Sequence, residues 1–232
     1  METDPIVAEA LEKGLESLSE RSSKLLLEKY GIPVTPEKLA GSPDEAVAAA
    51  EEISYPVVLK AEGPEIAHKT ERQLVAVGLK DEADVREAYD TITANLGDTP
   101  SDGMLVQKMI KGERELVIGL VRDPQFGPCV MFGLGGIFTE ILKDTSFRVA
   151  PITEDDALQM MDDIRASAIL GPVRGMKPAN REKLARALVG LGRIGMEQDY
   201  VGEIDVNPLI VDGDGEPVAV DALVVLARPS AQ

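Results

Sequence analysis

The sequence predicts a mixed α+β (α/β) protein in two lobes. Three observations predict it. Helix-like and strand-like segments interleave along the chain, a polar run at residues 97–103 divides it, and residues 201–226 read as a closing hairpin. Residues 1–17 read as a polar helical extension. Residues 19–30 form the next helix, with Leu25, Leu26 and Leu27 near its inner face; Gly31 stops it and Ile32-Pro33-Val34 runs extended. Ser42-Pro43-Asp44-Glu45 starts another helix: Ser42 caps, Pro43 fits the first turn, Glu45 completes the capping box, and the helix runs to about Ile53.

Residues 55–61, Tyr-Pro-Val-Val-Leu-Lys-Ala, form a short buried strand. Residues 62–73 are polar and irregular, and 74–79 form another strand. Residues 81–96 are a helix with Val85, Ala88, Tyr89, Ile92 and Leu96 on one face. After the polar run comes a strand at 104–110, then 115–122, where Leu116, Ile118 and Leu120 share one face. Asp123-Pro124-Gln125-Phe126-Gly127-Pro128 is a turn, and the strand 129–132 runs into Gly133-Leu134-Gly135-Gly136. Helices follow at 153–170, capped by Thr153 with Asp156 three residues on, and at 179–196. Strands 201–211 and 218–226 close the chain around a turn at 212–216. The expected division is an extension at 1–17, a first lobe at 18–100 and a second at 101–232.

Composition excludes several classes of function. The 232 residues carry 24 Lys and Arg against 41 Asp and Glu, a net charge of −17, with one His and one Cys. One Cys excludes a disulfide framework and a cysteine zinc site, and one His excludes two-histidine metal chemistry. The acidity argues against nucleic acid or an anionic membrane surface as the partner, though not against a local basic pocket for phosphates. The acidic start lacks the basic and apolar regions of a signal peptide, and no run approaches the roughly 20 apolar residues of a membrane span. The expected location is the cytoplasm.

Four places carry candidate chemistry. Glu203, Asp205 and Asn207 alternate along a strand, so they share a face; pairing centred on Asp214 sets Asn207 opposite Asp221. Four oxygen-bearing side chains on one face suit Mg²⁺, which keeps waters and shares phosphate oxygens. They equally suit the solvated face of an edge hairpin. An EF-hand is excluded, because Pro217 stands where that loop needs glycine. Lys60 ends an apolar strand and must either meet an anion, such as nucleotide phosphates, or snorkel to water. The run around Gly133, Gly135 and Gly136 either lets backbone N–H groups approach an anion or is a plain turn. Phe138 breaks the dinucleotide pattern, and no Walker motif exists in the sequence. His68, in Ile66-Ala67-His68-Lys69-Thr70, reads by itself as an ordinary surface histidine, and Cys129 as core.

Taken in order, Tyr55-Pro56-Val57-Val58-Leu59-Lys60, Ile66-Ala67-His68-Lys69-Thr70, Arg122-Asp123-Pro124-Gln125-Phe126-Gly127-Pro128, Met131-Phe132-Gly133-Leu134-Gly135-Gly136-Ile137-Phe138 and Glu203-Ile204-Asp205-Val206-Asn207-Pro208-Leu209 closely resemble the ATP-grasp subunit of ADP-forming acetyl-CoA synthetases. Succinyl-CoA synthetase β subunits are more distant relatives. The resemblance covers about residues 18–227. It implies an ATP-grasp fold that holds ATP or ADP with Mg²⁺ between two lobes. Lys60 would touch the phosphates; Gln107, Lys108, Met109 and Ile110 would form the hinge along the adenine; and Glu115, with Gly135 and Gly136, would lie near the nucleotide. Asn207 and Asp221 match the Mg²⁺ ligands. Asp205 matches an acid that steadies a phosphohistidine, and His68 the histidine that takes the phosphoryl group. CoA would bind a separate α subunit, with which the chain would work in an α₂β₂-type complex.

One departure from the family is plain. A Gly-Gly pair usually follows the histidine stretch, whereas here the run is His68-Lys69-Thr70-Glu71-Arg72-Gln73-Leu74, with less backbone freedom. Two rival readings follow: another ATP-grasp carboxylate ligase that uses acyl phosphate without phosphohistidine, and a non-catalytic nucleotide-sensing subunit.

Overall fold

The computed structural model describes residues 3–63, 66, 69–112, 114–136, 144–173 and 175–227. They pack as two units. The larger comprises Met1–Leu18, Ser22–Val34 and Ile110–Gln232; the smaller comprises Ser19–Arg21 and Thr35–Met109. Residues 1–18 therefore belong with the C-terminal half, and the strand after the polar run belongs with the smaller unit, a partition displaced by about ten residues from the polar run itself.

The smaller unit is a four-stranded antiparallel sheet covered on one face by two helices. Its strands are β1 (Glu37–Ala40), β2 (Val57–Glu62), β3 (Val75–Leu79) and β4 (Gly103–Lys108), in the order β1-β4-β2-β3. Helices α3 (Pro43–Ile53) and α4 (Glu82–Leu96) begin as their sequences dictate. Ser42 Oγ accepts from the Glu45 N–H at 3.2 Å, Pro43 sits in the first turn, and Asp81 accepts from the Asp84 N–H at 3.0 Å. Val85, Ala88, Ile92 and Leu96 of α4 meet Val57, Leu59 and Ala61 of β2 in one core. The pleat then sends Val58, Lys60 and Glu62 to the opposite face.

The larger unit repeats the plan with longer strands. β5 (Arg114–Asp123), β6 (Gly127–Leu134), β7 (Thr145–Val149), β8 (Val201–Val211) and β10 (Leu223–Leu226) form a sheet in the order β10-β8-β5-β6-β7, and β9 (Pro217–Ala219) also pairs with β8. The core joins Leu116, Ile118, Leu120, Val130, Phe132, Ile204 and Val206 to Leu184, Leu188, Leu191 and Ile194 of the last helix. That helix is α6 (Arg181–Glu197), preceded by α5 (Glu154–Asp163) and a 3₁₀ turn at Ser167–Leu170. Val7 and Ala10 of α1 (Pro5–Glu12), and Leu26 and Leu27 of α2 (Glu20–Lys29), join the same core. The N-terminal segment is therefore packed, where its polarity predicted a simple extension. Among the described residues no helix is long and apolar enough to cross a membrane.

Buried polar groups fix the joints. Arg122 Nη2 donates to Gly195 O at 2.8 Å and Gln198 O at 3.2 Å, so a cation closes the C-terminus of α6. The single helix expected at 153–170 is α5 followed by the separate 3₁₀ turn. The Asp144 carboxylate accepts from the Arg165 and Ala166 N–H groups, both at 2.8 Å, and Ile164 between the two segments is extended. Strands β1 and β7 had no sequence expectation: β1 is four residues with mixed burial, and β7 interrupts no apolar run.

Gly190 tests the packing of α6. In an exposed helix, Gly→Ala gains up to about 1 kcal/mol. Here an added Cβ would stand 2.5 Å from the Tyr30 carbonyl oxygen and 3.4 Å from Ile32. We expect G190A to destabilise the protein by about 1–3 kcal/mol, as overpacking does. Denaturant unfolding checks the sign.

Candidate functional site

The long strand β8 separates two kinds of side chain by pleat alone. Val201, Ile204 and Val206 are buried, Glu203 and Asn207 are exposed, and Asp205 is half-buried. Opposite them β10 pairs Leu223 with Asp205, Val224 with Ile204 and Val225 with Glu203, while β9 pairs Ala219 with Leu209 and Val218 with Ile210. Both pairings follow the register expected from the Asp214-centred turn. Continued through the gap between β9 and β10, that register sets Asn207 opposite Asp221.

The three acids crowd one another. Burial first, then the charges of Glu203 and Asp221, push the Asp205 carboxyl above the ordinary aspartate range. Asp221 Oδ1 accepts from the Ala222 N–H at 2.9 Å, which holds its carboxylate at the edge of the same strand. Among the described residues no three His, Cys, Asp or Glu side chains form a metal cage. An amide oxygen and crowded carboxylates on one outward face fit a hard cation that takes its remaining oxygens from water and phosphate.

The neighbouring strand β5 carries the next group. Gly119 pairs with Asp205, so the outward residues of β5 are Glu115, Val117, Gly119 and Val121. Glu115 is exposed on this face, and Arg114 beside it points inward. The buried Arg114 guanidinium donates to Lys177 O at 2.8 Å and Gly171 O at 3.5 Å. The glycine run lies directly on Glu115: the Gly135 N–H donates to Glu115 O at 2.8 Å. A Cβ on Gly135 would stand 2.7 Å from Leu116 O, and one on Gly136, whose φ is +62°, would collide with the Glu115 carboxylate. These glycines allow the close approach of the run to β5. Cys129 is half-buried on this outward face rather than in the core, because β6 alternates and Val130 takes the inward place. Burial and the charge of Asp123 raise its thiol.

In the smaller unit Lys60 is buried and meets an anion from its own chain. Its Nζ lies 2.7 Å from Glu20 Oε1, and the second Glu20 oxygen takes Lys69 Nζ at 2.6 Å. Glu62, two residues along β2 and on the same face, receives the Arg21 N–H on Oε1 at 2.9 Å. Glu20 and Glu62 were missed by sequence reasoning. The i, i+2 spacing of Lys60 and Glu62 was a readable signal; Glu20, forty residues away, had none. The stretch expected as a hinge contains the boundary between units, which falls between Met109 and Ile110. Gln107 is buried, Lys108 Nζ donates to Ser54 O at 2.7 Å, and the Met109 N–H donates to Pro56 O at 3.2 Å. His68, with Ile137 and Phe138, lies outside the described residues.

Comparison with known proteins assigns the class. The ATP-grasp domain profile matches residues 9–226. The β subunit of acetate–CoA ligase [ADP-forming] I from Pyrococcus furiosus is 46% identical over 213 residues, covering 90% of this chain and 91% of that one. The acetate–CoA ligase [ADP-forming] I of Archaeoglobus fulgidus is 41% identical over 95% of this chain, which spans 33% of that longer polypeptide. Among solved structures, the acetyl-coenzyme A synthetase 1 of Ca. Korarchaeum cryptofilum, bound to coenzyme A and Ca-AMPCP, superposes with a TM-score of 0.91 at 43% identity, covering 96% of this chain and 98% of that one. That protein is also known with Mg-AMPPCP and its phosphohistidine segment towards the nucleotide site, and with the segment phosphorylated in a site I orientation. The fold is thus an ATP-grasp fold. Within it, the chain belongs to the family of β subunits of ADP-forming acetate–CoA ligases.

The crowding at Asp205 has a pH signature. Its folded-state affinity for a proton exceeds that of the unfolded chain, so it costs stability once ionised, and the cost vanishes below the ordinary value of 3.8. Removing one like-charge neighbour is worth a few tenths of a kcal/mol to about 1 kcal/mol. D205N should therefore raise the metal-free Tm at pH 7 by roughly 1–3 °C. The gain should shrink as pH falls towards 4. Calorimetry across that range checks it.

Proposed function

We propose that this chain is the nucleotide-binding subunit of an ADP-forming acid–CoA ligase. The reaction is acyl-CoA + ADP + phosphate = acid + ATP + CoA. The observation that supports it most is the outward Asp205, Asn207 and Asp221 face, in a chain 46% identical to a β subunit of such an enzyme over nine-tenths of its length. CoA and the acyl group belong to a partner α subunit, in an α₂β₂-type complex in the cytoplasm. The fused Archaeoglobus relative, three times as long, supports a partner of that kind.

His68 is the histidine that carries the phosphoryl group. An imidazole nitrogen takes phosphorus from acyl phosphate, the acyl–O–P bond breaks, and the acid leaves. A β-phosphate oxygen of ADP then attacks the same phosphorus; the P–N bond breaks and the imidazole recovers its electron pair. Asp205 steadies the imidazole. Lys60 and the backbone N–H group at Gly136 offset the phosphate charge, with Gly135 and Glu115 nearby and 107–110 along the adenine. Asn207 and Asp221 would hold Mg²⁺, whose chemistry is to neutralise and align the phosphates.

Two substitutions test this in the complex reconstituted with a CoA-binding partner. H68A should abolish ATP formation from acetyl-CoA, ADP and phosphate while ADP still raises the Tm. D221N should lower turnover roughly 100-fold or more and raise the Mg²⁺ needed for half-maximal rate. Full activity of H68A would favour a ligase that works without phosphohistidine.

A further inference from the structure

The turn from Arg122 to Pro128, which joins β5 to β6, takes no part in the phosphoryl chemistry, yet it is firmly held. At its root the Arg122 guanidinium donates to the Gly195, Gln198 and Val201 carbonyls at 2.8, 3.2 and 3.3 Å. At its tip Asp123 Oδ1 accepts from the Gln125 and Phe126 N–H groups at 2.7 and 2.9 Å, and Gly127, with φ +79°, turns the chain back. This rigid turn presents a bare aromatic ring: Phe126 is 65% exposed.

Phe126 has apolar company. The outward row nearest the turn runs Val121, Cys129, Val149 across β5, β6 and β7, and the next row runs Gly119, Met131, Phe147. Directly paired residues share a face, so these side chains form one patch. Val121, Val149 and Phe147 are 43, 48 and 50% exposed. The sequence has no Trp and four Phe, and two of the four stand here in contact with water. Single apolar residues scattered on a surface are ordinary. A contiguous patch with an aromatic fixed in advance has the make-up of an interface centre.

The position of the patch on the sheet indicates what covers it. Asp205, Gly119, Met131 and Phe147 lie in one row, so the patch shares a face with the crowded acids. Glu115 and the glycine run sit at the start of β5, and Val121 near its end. Along the outward face the glycine run, the acids and the apolar end therefore follow in order. We propose that the apolar end is the docking surface for the CoA-binding partner subunit, with Phe126 as its anchor. The inference rests on the reading of this chain as the nucleotide-binding subunit. That reading gives the acyl-CoA chemistry to another polypeptide; the fused Archaeoglobus ligase, of which this chain spans 33%, has chain enough beyond the matched part to supply it. A phosphoryl group formed there must reach Asp205, so the partner has to seat on this face, at the end free of phosphate-binding groups. Glu203 pairs with Val121 and borders the patch, so the partner face that fits is apolar with a basic margin.

The test titrates the fluorescently labelled chain with its CoA-binding partner and follows ATP formation from acetyl-CoA, ADP and phosphate across the same titration. F126A should raise the Kd for the partner about ten-fold, and V149D at least as far. At saturating partner F126A should reach the turnover of the unsubstituted chain. V77D, on β3 of the smaller unit where Val77 is 67% exposed, should leave the Kd unchanged. Each variant should keep the rise in Tm that ADP gives, which shows that it is folded. Unchanged affinity in F126A and V149D, an equal loss in V77D, or a turnover deficit in F126A that saturation does not remove would overturn the proposal. So would a dimer of the chain alone that F126A dissociates, since a second copy would then be the occupant. A partner that binds, and binds more weakly to F126A, in a complex that forms no ATP would uphold the surface and remove the ligase reading. Absence of binding by the unsubstituted chain would overturn both.

Discussion

The period of two along an antiparallel strand is the constraint on which this protein's chemistry depends. Each sheet has one face covered by helices. Residues that alternate with the core have no apolar neighbour to satisfy and are open to charge. On β8 the buried Ile204 and Val206 lock the strand, and that lock sends Glu203, Asp205 and Asn207 outward together. On β2 the buried Leu59 and Ala61 do the same for Lys60 and Glu62. A slip of one residue on either strand would bury the site and expose the core. The apolar residues therefore hold the polar ones in register, although they share no chemistry with them.

Charge is handled locally in both units. The sequence carries a net −17, yet the outward faces of the two sheets differ sharply in their charge. The β8 face is acidic and strained by its own carboxylates, so a dication is welcome there. The β2 face has two lysines balanced by two glutamates, all largely out of water. An exposed pair of this kind would be worth little. Burial makes it costly for either lysine to lose its carboxylate.

Much of this was legible in the sequence, for reasons that vary by residue. The hairpin register could be read because a turn centred on Asp214 fixes the pairing of both arms. The caps at Ser42 and Thr153 could be read because their partners lie three residues away. The run around Gly135 and Gly136 could be read as an anion loop or a plain turn, but not that it packs on Glu115. Long-range partners were hidden. Nothing near Lys60 announces Glu20, and nothing near Asp144 announces that it holds the Arg165 and Ala166 N–H groups, 21 and 22 residues on, ahead of the 3₁₀ turn. Residues 1–17 looked like an extension because their polar face dominates the composition; Val7 and Ala10 are few but completely committed to the core.

The most direct measurement of the central claim is the site of phosphorylation. The complex with its CoA-binding partner is incubated with acetyl-CoA and inorganic ³²P-phosphate in the absence of ADP, and the labelled peptide is located by mass spectrometry. With a single histidine in the sequence, the account predicts acid-labile phosphate on the peptide containing His68, discharged quantitatively to ATP when ADP and Mg²⁺ are added. Label confined to the partner, or a chain that forms ATP while its histidine stays unmodified, would contradict it.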